Sequence, residues 1–211
     1  MKKILLVGDS IRMGYDKYIK KIFEDTAEVY YPDENCRFST YVLRNLASWR
    51  DQLDCGDDID LIHWNAGLWD DLRMLDGEPL VGLEEYSRNV ERIYSAIGKL
   101  FPKARIIFAT STPVREELFT TLKRYNADTE RYNAEAVRIS LEHGAIINDL
   151  YGIVKGAPKS YYSDMTHLYT KEGTELVTEQ VRRSIESVLS IEGKDLDYEA
   201  LFSDKKSVLG I

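Results

Sequence analysis

Short apolar runs alternate along this chain with longer stretches in which apolar positions recur every three or four residues. The runs at residues 3–7, 27–31, 60–64, 105–109 and 145–147 have strand length and are rich in Val, Ile and Leu. The stretches at residues 10–24, 39–51, 82–100, 122–143 and 170–191 have helical periodicity. Pro102 punctuates the end of the third, and Lys171-Glu172 supply a polar first turn to the last. Strand–helix alternation at this spacing requires right-handed crossovers, and so a parallel sheet covered by helices on both faces. Leu61-Ile62 and Ile106-Ile107-Phe108 are continuous apolar runs, as strands buried on both faces should be. The expectation is one three-layer α/β/α domain with a five-stranded parallel sheet over residues 1–192. A tail, residues 193–211, then packs on the body or on a partner subunit of a homo-oligomer. Residues 70–81, with Asp76-Gly77-Glu78-Pro79, and residues 110–117, with Pro113, read as loops. Both follow strands and so belong to the carboxyl edge of the sheet, where open α/β folds place ligands.

Charge and cysteine usage narrow the partners. The 211 residues carry 28 basic and 36 acidic side chains, and the net charge of −8, with no basic cluster to offset it, repels a phosphate backbone. Nucleic acid is therefore not expected, and no stretch has the length of a membrane span. The apolar run after Met1-Lys2-Lys3 stops at Gly8-Asp9 after four residues, too short for the apolar core of a signal peptide. Cys36 and Cys55 have no metal-type spacing, so two free thiols in a reduced, cytoplasmic setting are expected. No His/Asp/Glu cluster has metal spacing and no Gly-rich phosphate loop follows Gly8, so no metal or cofactor is implied.

Candidate chemistry sits at the two ends of the chain. Gly8-Asp9-Ser10 follows the first strand, which puts a hydroxyl at the sheet edge. Asp164-Met165-Thr166-His167 precedes the last helix, with a carboxylate three residues from an imidazole. A helix N-cap is the plain reading of Gly-Asp-Ser alone, and a surface pair that of Asp-x-x-His alone. A nucleophile, a base and an acid that orients the base is the reading of the two together.

In this order, Gly8-Asp9-Ser10-Ile11, continued by Arg12-Met13-Gly14-Tyr15, and Asp164-x-x-His167 before a closing helix resemble the SGNH hydrolases, the GDSL esterase/lipase family. The resemblance spans roughly residues 2–191 and implies a flavodoxin-like SGNH hydrolase fold. It also implies a metal-independent triad in which Ser10 attacks an ester carbonyl, His167 shuttles the proton and Asp164 fixes the imidazole. Two family features are altered. Where the family has Gly-x-Asn-Asp after the third strand, this chain reads Asn65-Ala66-Gly67-Leu68-Trp69-Asp70, with Trp69 at the asparagine position when Gly67 and Asp70 are aligned. Where the family has a glycine after the second strand, residues 32–39 have none. Asn65 is the favoured replacement donor for the oxyanion hole and the Trp69 indole the other. The backbone of Arg37 or the side chain of Asn35 substitutes for the missing glycine amide, and Asp9, Asn65, Gly67, Trp69 and Arg37 form the oxyanion and substrate-binding set.

Other residues fall near these blocks. His63, inside the third strand, reads as structural, and His143 as a helix-end residue. Trp64, Trp69, Tyr161 and Tyr162 offer aromatic faces for a sugar or acyl group, and Arg12, Arg37 and Arg115 offer charges for an anionic substrate. The resulting expectation is a serine esterase that removes a small acyl group, acetyl above all, from a carbohydrate or other small-molecule ester. Acyl transfer by the same triad, a binding module of this fold without catalysis, and a flavodoxin-like nucleotide-binding domain are the competing readings.

Overall fold

Strand β1, Lys2–Val7, is buried from Ile4 to Val7 on both faces, and its side chains divide between two cores by simple alternation. Leu5 and Val7 enter one core, Ile4 and Leu6 the other. The computed structural model describes residues 1–203. Within them β1, β2 (Ala27–Tyr30), β3 (Leu61–Trp64), β4 (Arg105–Ala109) and β5 (Ile146–Asn148) form one parallel sheet in the order β2-β1-β3-β4-β5. This is the flavodoxin-like doubly wound order, as expected, and the order reverses between β1 and β3.

Helices α3 (Ser39–Gln52), α4 (Leu83–Leu100) and α5 (Asn126–Glu142) cover one face, through Val42, Leu46, Trp49, Val90, Ile93, Ile97, Ala136 and Ile139. The other face is covered by α1 (Ser10–Met13), α2 (Asp16–Ile22), α6 (Leu150–Lys155) and α7 (Lys171–Leu189), through Ile11, Ile19, Ile22, Leu150, Val181 and Ile185. Strands and long helices start and stop within a few residues of the places their apolar period predicts.

Three local expectations change. The single helix expected over residues 10–24 is two, α1 and α2, because Gly14 and Tyr15 close a tight turn on Ile11 and Arg12 and then turn the chain toward α7. Residues 70–81 are a hairpin, not a loop: Met74 and Glu78 close it, and Arg73 pairs with Lys123 across an antiparallel bridge. Helices α6 and α8 (Tyr198–Ser203) are too short to register as amphipathic periods. In the tail, Lys194 donates to the Ile22 carbonyl at 2.9 Å, Arg182 reaches Gly193 and Asp195, and Phe202 stacks on Tyr18. The rest of the tail, residues 204–211, lies outside the described residues.

The segment after β3 is tied to the helices by two fully buried acids. The Asp70 carboxylate accepts the Ser39 amide at 3.0 Å and the Ser39 hydroxyl at 2.5 Å, and so caps α3 from another part of the chain. Asp71 accepts the Thr129 hydroxyl at 2.6 Å and lies 3.7 Å from Arg124. Burial raises Asp70 to about 7 and Asp71 to about 8, with the hydrogen bonds from Ser39 and Thr129 opposing it. Both carboxyls hold their protons more tightly in the folded chain than at the ordinary value of 3.8. The stability linked to them is therefore complete below that value and is lost as pH rises through 7 to 8. Asp71→Asn cannot ionise, so denaturant melts should show it gaining roughly 1 to 3 kcal/mol on wild type between about pH 5 and pH 9. A difference independent of pH would contradict this account.

Candidate active site

The first element of the site is the turn out of β1. Asp9 caps α1, its carboxylate accepting the Ile11 amide at 2.9 Å, and Ser10 is the first residue of that helix. With α1 only four residues long, the site gains little from a helix dipole; the first-turn amides are its local donors. Asn65, at the end of β3, lies against Gly8, and its Oδ1 stands 2.0 Å from where a Cβ would be, so only glycine fits there. Asn65 is 2% exposed, and its Oδ1 has no hydrogen-bond partner among the described residues.

The second element is the turn before α7. Asp164 Oδ1 accepts the amides of Thr166 at 2.7 Å and His167 at 2.8 Å, and Asp164 Oδ2 pairs with His167 Nδ1 at 2.6 Å. Partial burial raises the Asp164 pKa, but these hydrogen bonds outweigh it and hold the carboxyl below its ordinary value. The aspartate thus fixes one ring nitrogen and leaves Nε2 for another partner. Both side chains stay open to solvent, at 45% for Asp164 and 26% for His167.

Tyr169 joins the two elements. Its hydroxyl donates to the Ser10 carbonyl, and its ring stacks on the His167 imidazole with centroids 4.7 Å apart. A Cβ on Gly14 would stand 2.7 Å from that ring, so the glycine clears the way. Tyr169 carried no signal in the sequence beyond lying two residues after His167. The loop after β4 is tied to the same turn, with the Arg115 amide on the Met165 carbonyl at 2.9 Å and the Tyr162 hydroxyl on the Pro113 carbonyl at 2.9 Å.

The remaining predicted residues divide. Gly67 is buried at φ 139°, with Ser111 and Tyr86 where a side chain would go. Trp69 is half-buried under the Arg124 guanidinium, 5.9 Å from its ring centroid. Arg37 is exposed and takes φ 52°, the left-handed conformation that favours glycine, at the point where a glycine is missing. Its amide donates to Asn35 Oδ1 at 2.8 Å, so that N–H is already occupied, and the Asn35 carbonyl oxygen with it. Asp9 corrects the expectation of a substrate contact: it is fully buried and serves as a cap.

Two further readings are corrected. Arg12 is not available to an anionic substrate: it is 1% exposed, paired with Asp16, and bonded to the Glu34 and Gly8 carbonyls, which staples the β1 turn to the segment after β2. Trp64 belongs to the core, edge-on to Tyr94 and Phe108 at 5.4 and 5.0 Å. His63 is fully buried between the Tyr15 hydroxyl and Asn148, and burial lowers its pKa to about 3, so it stays neutral. His143 ends α5, paired with Glu91 at 2.6 Å. Arg115 pairs with Glu117. Cys36 and Cys55 are buried free thiols, and burial raises Cys36 to about 11. Among the described residues no cluster of His, Cys, Asp and Glu could hold a metal, and no helix is long and apolar enough to cross a membrane.

No family model and no curated protein matches the chain. Its three-dimensional similarity is to solved structures of low sequence identity. A lipase/acylhydrolase from Enterococcus faecalis superposes with a TM-score of 0.72 at 19% identity, covering 93% of this chain and 100% of that one. A GDSL-like lipase from Bacteroides thetaiotaomicron VPI-5482 gives 0.69 at 16% identity, covering 89% of each chain. An acetyl xylan esterase gives 0.68 at 14% identity, covering 87% of this chain and 99% of that one. The chain therefore has the fold of the GDSL-like lipases and acylhydrolases.

Proposed function

We propose that this protein is a serine ester hydrolase of the SGNH type, with Ser10 as nucleophile, His167 as general base and Asp164 as the group that orients the base. The observation that carries the reading is the Asp164–His167 hydrogen bond at 2.6 Å, on a turn that Tyr169 fastens to the backbone of Ser10. In this mechanism the Ser10 hydroxyl adds to the ester carbonyl and passes its proton to His167 Nε2. The imidazole returns that proton to the departing alkoxide, leaving an acyl group on Ser10. Water, activated by the same imidazole, then adds to the acyl-enzyme, and the acid leaves. The negative charge that develops on the carbonyl oxygen falls to the Ser10 amide, a first-turn donor, and to Asn65 Nδ2, the donor end of a side chain whose Oδ1 faces Gly8.

The substrate we assign is a short-chain acyl ester, acetyl first, of a carbohydrate or similar polar alcohol. The acetyl xylan esterase among the structures of the same fold supports that choice. So does the half-buried Trp69, an aromatic face suited to a sugar ring, at the position the sequence aligns with the family's asparagine.

Hydrolysis of p-nitrophenyl acetate tests the reading. Ser10→Ala should lower turnover by about a thousandfold or more while leaving the melting temperature within a few degrees of wild type. Retained turnover would mean that Ser10 only opens a helix. Asn65→Ala should lower kcat by about a hundredfold with little change in KM, and Trp69→Ala by much less. The reverse order would move the donor to the indole, and no effect from either would remove both from the oxyanion hole.

A further inference from the structure

Arg124 is the strongest feature that the proposed triad leaves unused. It sits at the carboxyl edge, just before α5, with its side chain only 10% exposed. Its Nε donates to the Leu68 carbonyl at 2.5 Å, and its guanidinium lies between the rings of Trp69 and Phe119, at 5.9 and 5.7 Å from their centroids. These three contacts hold the guanidinium rigidly. Yet among the described residues neither terminal nitrogen donates a hydrogen bond, and neither is sealed from solvent as the fully buried unpartnered atoms are. The donors of its terminal nitrogens thus have no hydrogen-bond partner among the described residues.

The nearest carboxylate is Asp71, whose Oδ1 is 3.7 Å from Arg124 Nε, outside hydrogen-bond distance. Burial pushes the Asp71 carboxyl up to about 8, with the Arg124 charge opposing the rise. Asp9 is fully buried, and burial raises its pKa as well, with the Arg124 charge opposing the rise. A buried cation with spare forked donors is built to receive an anion, and a carboxylate matches the fork with two parallel hydrogen bonds.

Resting on the ester-hydrolase reading, we propose that Arg124 is a substrate-binding residue that holds a carboxylate of the substrate, so that the preferred substrates are acyl esters of acidic alcohols, such as acidic sugars. The guanidinium, stacked on Trp69, grips the carboxylate while the ester carbonyl lies at Ser10. Trp69 at the family's asparagine position then serves as the platform for that guanidinium.

A matched pair of esters tests this, 4-acetoxybenzoate against neutral 4-acetoxybenzamide, with wild type and Arg124→Gln. The ratio of kcat/KM for the anionic over the neutral ester should fall by about tenfold in the variant, mainly through KM of the anionic ester. If Arg124→Gln does not fold, Arg124→Gln with Asp71→Asn removes the acid as well as the base and takes its place. Calorimetric titration with benzoate and benzamide gives a readout free of turnover: wild type should bind benzoate in preference, and the variant should not. An unchanged ratio and equal binding of both compounds would overturn the proposal with the esterase reading intact. An equal loss of kcat on both esters would also overturn it, and make Arg124 an oxyanion donor. If wild type cleaves neither ester, the esterase reading falls, and benzoate binding alone then decides whether Arg124 is an anion site.

Discussion

One hydrogen bond joins the two halves of the candidate site: the Tyr169 hydroxyl on the Ser10 carbonyl, between residues 159 positions apart. On one side stands a turn leaving β1; on the other, a turn entering α7. Helix α7 itself packs on α2, α6 and the sheet strand β5. The Tyr169 ring also stacks on the His167 imidazole that Asp164 orients, so one side chain touches both halves of the site. The cost is local: Gly14 must remain without a side chain, and the helix expected to run on from Ser10 breaks there.

Buried charge does the same work on the other side of the nucleophile. Arg12 holds the segment after β2 against the β1 turn through the Glu34 carbonyl, and Asp16 balances its charge. Asp70 caps α3 from the segment after β3, and Asp71 ties that segment to α5. Such groups are expensive to bury and stabilise the fold only while each keeps its partner. Their value here is placement, since they fix the two segments after β2 and β3, which carry little regular structure. Arg124 is the exception among them, a buried cation whose terminal nitrogens have no hydrogen-bond partner among the described residues.

Much of this was legible in the sequence, for identifiable reasons. Strands buried on both faces write continuous apolar runs, which is why β3 and β4 were found nearly to the residue. The long helices bury one stripe each, and α4 and α7 emerged from that period. What the sequence could not carry was decided by contacts between distant residues. Gly14, at the break after Met13, packs against a tyrosine at position 169, and the hairpin at residues 70–81 pairs with Lys123. Among site residues, Ser10, Asp164 and His167 stood out because their order matched a known pattern. Trp64 and Arg12 misled because proximity in sequence to a motif does not fix direction: along a strand or a helix, neighbouring side chains point to different faces. Arg124 had no signal at all, lying more than fifty residues from the segment it packs on.

The central claim is that Ser10 is a nucleophile activated by His167. It is tested most directly by treating the protein with a fluorophosphonate, which reacts with activated serines, and locating the adduct by peptide mass spectrometry. The account predicts a single stoichiometric adduct on Ser10 that is lost in His167→Ala, a variant that keeps the serine and removes its base. An unlabelled Ser10, or labelling that persists without His167, would contradict it.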